Sequence, residues 1–537
     1  LEKVSQWIHD LQFTDLTEAV VEMGRLQVLD VLGAMSGAYQ TPVCQKISAG
    51  LENSQGDCTA FLQSEKWDMA TTAYYHAALI NALELDNFSF MGHLSQSAVP
   101  VALSVCERLD LYENDMLLGL IAAQEVTGRM GGYMATGPQQ GHMRAFLHRV
   151  GAAVAVTKLH NCSAEVIARA MAIALSLPEF PLMPAAFSPE TKVLCTSAPT
   201  AEGIRSAELA MQGVDAALDI LEHPLGFLSF FSYMKETPNF WDEIGKTWTM
   251  LSVSFKKYAS CGYAQGSINA VLKLQPKQPL KAEDIEKVTV AGPLLTIVME
   301  KFAIPHYKAG ITAVNCQFST RRSVAAALLF GAPTGQFYAH QFEAVKDEIE
   351  ALSLKVELIH DWKQTIRMVR GFDAAISGPG KPGLFGTGNS QSTLKKFGKV
   401  LKNRSIYQWS DLLAIFGIPR ADVIYFVKRV LRSKKVLFLS KSKRKHYRSY
   451  EEDLSKIEFR LSSKLKVQMK DGRAYESECA VPEGFMGHPN KNAVVPEKFF
   501  REAVPVMGEK RSQALHDLVL KQPGYRVREL MALLSHV

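Results

Sequence analysis

A few side chains stand out as groups that could handle protons or charge. His93 and His142 each directly follow a glycine, Gly92 and Gly141. Imidazole titrates near neutrality and can both take and deliver a proton. Lys192 stands alone in the otherwise uncharged stretch Thr191 to Thr200, and Lys256 precedes Cys261 by five residues. Fixed ammonium groups stabilise negative charge as it develops on a reacting acid. Against this, a lone lysine is usually a surface charge, and a lone cysteine is usually a small buried hydrophobe. No cofactor or metal motif accompanies these residues: HExxH, an EF-hand loop, G-x-S-x-G and a strand-led G-x-G-x-x-G are all missing. The glycines between Ser377 and Ser390 lack the order of a phosphate loop. By elimination, catalysis must come from side chains dispersed along the chain and gathered by its fold.

Those side chains need elements to hold them. At 537 residues, with 47% hydrophobic and 21% charged content, the chain is long enough for two or three cored domains. Apolar residues recur at three- and four-residue steps from Leu16 to Ser36, and Trp67 to Leu85 is rich in Ala, Leu and aromatics. Val99 to Arg108, Asp115 to Arg129, Val150 to His160 and Ala164 to Leu177 repeat the helical pattern. Alanine-rich stripes let such helices pack closely, so residues 1–268 are expected to form a helical domain. The texture then changes. Ile285 to Ala291, Ser353 to Ile359 and Lys464 to Met469 alternate like strands, the last running into a Lys470-Asp471-Gly472 turn. Ser319 to Leu329 reads as a helix between them. A smaller α+β domain over 269–490 follows, giving a mainly α protein. Residues 491–537 return to helix and are expected to pack on the first domain.

Residues 361–454 interrupt the second domain. This insert holds the Gly/Pro/Ser stretch and then a basic run, Arg420 to Arg448, with eleven Lys/Arg and one acid, Asp422. With no aromatic-interleaved nucleic-acid motif beside it, it reads as a solvated or subunit-facing surface, not a nucleic-acid site. The net charge of +6 is mild. The eight cysteines show no framework spacing, so a reduced, cytoplasmic setting is expected, with the mitochondrial matrix as the alternative if a transit peptide has been removed. No apolar run is long enough to span a bilayer, so no membrane association is expected.

Several short segments, in order, resemble the MmgE/PrpD family. They are Ala77 to Phe88 with Gly92-His93 and Ala98-Val99-Pro100, Gln124 to Arg129, Gly141-His142, Thr191-Lys192-Val193-Leu194 with Ala201 to Gly213, Phe255-Lys256-Lys257-Tyr258 with Cys261, Phe318-Ser319 with Ala325 and Ala327, Lys470-Asp471-Gly472, and Gly487 to Asn490 with Pro496 to Phe499. Each match is short, but their order and spacing agree over nearly the whole chain outside the insert.

The resemblance implies a homodimer, with the active site between its two domains, working on small polycarboxylic acids without metal or organic cofactor. It implies that His93 and His142 carry protons and that Lys192 and Lys256 hold carboxylates and stabilise developing charge. Glu84, Phe88, Arg322 and Cys261 fall at substrate-facing positions. Glu84 stands where the family has an aspartate. Asp86-Asn87-Phe88 has lost an acid and a hydroxyl, and Arg322 replaces a tyrosine, exchanging a phenol for a bidentate carboxylate clamp. The expected activity is a lyase that dehydrates a citrate- or alkylcitrate-like acid. Decarboxylation of a cis-aconitate-like acid and epimerisation of a diacid are the alternatives, as is an inactive relative that assembles through its basic insert.

Overall fold

The structure is a computed structural model that describes residues 1–51, 54–89, 92–134, 145–231, 241, 243–275, 280–303, 310–376 and 453–536. His142, the glycine-rich stretch and the basic run lie outside these residues.

The fold is mainly α. The expected helices appear as Glu18–Tyr39, Met69–Ala82, Ser95–Leu109, Glu113–Met134, Ala145–Leu159 and Ala164–Ser176. Local chemistry sets several of their ends. Asp68 caps the Met69–Ala82 helix by accepting from the Ala70 and Thr71 amides, and Ser163 caps Ala164–Ser176. The Ala145–Leu159 helix is buried along nearly its whole length and packs against the Leu194–Met211 helix. Their approach is so close at Gly203 that a Cβ there would lie 2.2 Å from the Arg149 carbonyl oxygen. Only glycine fits at that crossing.

The smaller unit carries a four-stranded sheet ordered Val356–His360, Ile285–Gly292, Ser463–Met469, Ala474–Cys479. The first pair is parallel and the others are antiparallel. Residues of Ser463–Met469 alternate buried and exposed, so one face is covered and the other meets water. The Gly262–Leu274 helix covers that sheet and packs on Thr320–Phe330. Gly472, at φ +86°, makes the turn between the last two strands. The strand expected from Ser353 to Ile359 starts later than its alternation suggests, at Val356, because Ser353 ends the Phe342–Ser353 helix. The segment from residue 361 opens as part of this unit: Gln364 donates to the Ala291 carbonyl, and Thr365 accepts from the Leu294 amide.

The last helices return to the first unit. Val494–Met507 lies along Glu18–Tyr39, and Val527–Leu534 packs on Ser95–Leu109. This return brings Lys498 beneath the segment that joins the Met69–Ala82 and Ser95–Leu109 helices.

Candidate active site

That joining segment holds the acids. After the Met69–Ala82 helix ends, Glu84 takes a left-handed backbone, φ +53°. Two residues later Asp86 leads into a two-residue strand, Asn87–Phe88, which pairs antiparallel with Ser254–Phe255. The pairing sets Asn87 opposite Phe255 and Phe88 opposite Ser254, and so delivers Lys256, the next residue, to the two acids. Its ammonium lies 3.0 Å from Glu84 Oε2 and 2.8 Å from Asp86 Oδ1. Lys192, on a short turn just before the Leu194–Met211 helix, lies 3.1 Å from Glu84 Oε1 and donates to the Asn81 carbonyl. The side chains of both lysines and of Asp86 have no exposure, and Glu84 has almost none.

His93 completes the chain of charges. Its Nδ1 lies 2.7 Å from Asp86 Oδ2, and its side chain retains 24% exposure. The Phe88 ring stacks on the imidazole at 5.8 Å and meets Phe459 and Phe485 edge-on. On the other side, Phe318 lies 5.5 Å from the Lys192 ammonium, within an apolar group that includes Cys261 and Met299.

The electrostatics assign roles. Burial opposes ionisation of Glu84, but Lys192 and Lys256, with His93, outweigh it and hold the carboxyl down at about 2. Asp86 is likewise held well below the usual carboxylate range: its burial is overcome by Lys256 and His93. Burial works against the Lys256 charge, yet Asp86 and Glu84 raise it above the ordinary lysine range. Lys256 is therefore a fixed cation, not a base. Burial pushes the Cys261 thiol up to about 12, reinforced by Glu84, so it stays protonated and is a poor nucleophile. His93 contributes an imidazole to this group, with Nδ1 against Asp86 and Nε2 turned away from that acid.

Glu84, Asp86 and His93 offer ligand atoms within 4.8 Å of one another, close enough to hold a metal ion. Both carboxylates, however, already face ammonium groups, so the donor set is matched by lysine charge.

Of the residues singled out in the sequence, Glu84, Phe88, His93, Lys192, Lys256 and Cys261 come together. Arg322 does not join them. Its Nε and one terminal nitrogen bind Glu350 at 2.6 and 2.9 Å, so the fork expected to clamp a substrate is closed on a neighbouring helix. His142 lies outside the described residues. Two members of the group were not foreseen in these roles. Asp86 and Lys498 fall within segments that carry the family resemblance, Asp86-Asn87-Phe88 and Pro496 to Phe499, but nothing near either in the sequence marks it as a member of a buried charge group. A third feature is a buried knot beneath Lys192: Asn81 donates to Gln96 at 3.2 Å and to Thr196 at 2.7 Å.

Both domains of one family are recognisable in the chain. The MmgE/PrpD N-terminal domain matches residues 2–238, and the MmgE/PrpD C-terminal domain matches residues 258–369. Similar curated proteins include the cis-aconitate decarboxylase of Homo sapiens, 24% identical over 376 residues, which are 66% of this chain and 76% of that protein. The Mus musculus protein of the same name is 23% identical over 67% of this chain and 75% of its own length. The cis-aconitate decarboxylase-like protein oryM of Aspergillus oryzae is 23% identical over 67% of this chain and 79% of that protein. With both of the family's domains matched in order, the chain belongs to the MmgE/PrpD family.

Proposed function

We propose that this chain is a lyase that acts on a small polycarboxylic acid by proton transfer, as a homodimer and without metal or organic cofactor. One observation carries the reading: an Asp86–His93 dyad set against two buried lysines. Loss of carbon dioxide or of water next to a carboxylate leaves an electron pair on carbon or requires one to form there. Lys192 and Lys256 supply positive charge to that developing anion. His93 delivers a proton to the carbon after decarboxylation, or withdraws one before water departs. Glu84 keeps the two ammonium groups apart and aimed.

The names of the relatives favour decarboxylation of a cis-aconitate-like acid. A second reading, dehydration of an alkylcitrate-like acid, is favoured by the apolar wall of Phe88, Phe459 and Phe485 beside His93. An alkyl substituent would lie against such a wall without desolvating a polar group.

Proton NMR in heavy water with cis-aconitate, citrate, methylcitrate and a longer alkylcitrate separates the two. Loss of carboxylate, loss of water and bare α-proton exchange give different spectra. Turnover of an acid that vanishes in Lys192→Ala supports the proposal and names the reaction. No spectral change with any of the four acids counts against it.

A further inference from the structure

We infer that Asp30 and Lys498 are positioning residues for the Asp86–His93 dyad, because their buried ion pair grips the chain on both sides of Asp86. The inference rests on the proposed proton-carrying role of His93. Asp30 belongs to the Glu18–Tyr39 helix and Lys498 to Val494–Met507, and neither side chain is exposed. Their charged atoms lie 2.5 Å apart. Each also holds the segment that carries the site. Lys498 donates to the carbonyl of Leu85, the residue before Asp86, at 2.6 Å. Asp30 accepts from the side chain of Asn87, the residue after it, at 3.1 Å. Asn87 in turn accepts from Ser95 at 2.8 Å, and Ser95 opens the helix that begins two residues beyond His93. The tether thus reaches both ends of the dyad without touching its reacting nitrogen.

Two further features support a positioning role. The segment starts from the left-handed Glu84, a conformation that needs surrounding contacts to persist. Burial also works against both charges of the pair, raising Asp30 and lowering Lys498. A buried ion pair of this kind is a weak source of stability compared with packed apolar side chains. What it supplies here is a directional hold on one carbonyl and one amide.

The test replaces the pair together, Asp30→Leu with Lys498→Met, so that no unpaired charge stays buried. Ring-nitrogen NMR of histidine-labelled protein reads the His93 tautomer. The wild type is expected to show one fixed tautomer with Nδ1 bonded to Asp86, and the double variant an average of two. Turnover is expected to fall about 10- to 100-fold, with KM held within about 3-fold, as for a misaligned reacting group. A folded double variant that keeps the wild-type ring signature overturns the inference, whatever its activity. If the double variant fails to fold, Asn87→Ala cuts the arm from Asp30 through Asn87 to Ser95 while leaving the ion pair and the Lys498–Leu85 bond, and the same signature decides. A wild type that turns over none of the acids sinks the functional reading alone, since the ring signature needs no substrate. A moved signature with unchanged turnover upholds the tether and removes His93 from the reaction.

Discussion

Asp86 holds His93 by Nδ1 at 2.7 Å, from a carboxylate that has no exposure of its own and whose other oxygen is bound to Lys256. The acid is thus committed on both sides, and the imidazole is oriented from a rigid base.

Asp86→Asn should therefore cost more than a hydrogen bond. The amide can present a donor to Nδ1, favouring the wrong tautomer, and it no longer stabilises an imidazolium. Turnover is expected to fall about 10²- to 10⁴-fold, with KM changing far less. Steady-state kinetics on the acid identified by NMR checks this. A variant within threefold of wild type would remove the dyad from the mechanism.

The two lysines should differ in what their loss does to the fold. Lys192→Ala leaves Glu84 with Lys256 as a partner, so folding should survive while turnover is abolished. Lys256→Met strips Asp86 of its bound ammonium and leaves Glu84 with Lys192 alone. Removing one partner of a buried ion pair costs about 3–5 kcal/mol, and Lys256 partners two buried carboxylates where Lys192 partners one. Urea unfolding of the two variants side by side should place Lys256→Met well below Lys192→Ala. Equal stability would contradict the geometry.

Acid should release the stability that Glu84 contributes. Its folded value, about 2, lies below the ordinary 4.5, so the unfolded chain binds the extra proton between those values. The contribution is full above about 4.5 and is lost as pH falls towards about 2. The stability gap between wild type and Glu84→Gln should accordingly narrow across that window. Denaturant melts at several acidic pH values measure it, and a gap that widens with acid would show the sign to be wrong.

Arg322 should be dispensable for chemistry. With its fork on Glu350, Arg322→Gln should leave turnover within about threefold of wild type. The stability loss should be about 1 kcal/mol, because Glu350 is more than a third exposed and water screens the pair. A large rise in KM for the acid would instead return Arg322 to the substrate.

Much of the site was legible because its members sit in short, distinctive contexts. Lys192 lies in an uncharged run and His93 follows a glycine, while Glu84 is marked by the family resemblance. The structure buries Lys192, sets His93 beside Asp86 and gives Glu84 a left-handed turn backbone. Arg322 misled because its charge fits a carboxylate on a substrate and a carboxylate on Glu350 equally well. Nothing within its own helix distinguishes the two.

Helical and strand periods, the turn at Gly472, and the switch from helical bundle to sheet follow from residue types within a few positions of one another. The sequence by itself therefore determined the mainly α fold and the reactive groups available to it. Which of them meet was decided by tertiary structure. Lys256 reaches Glu84 across 172 positions, and Lys498 reaches Leu85 across 413. Such meetings depend on how whole helices bury their apolar faces, and the charges then neutralise one another inside the core. Only that packing holds Asp86 against His93 and turns Arg322 away.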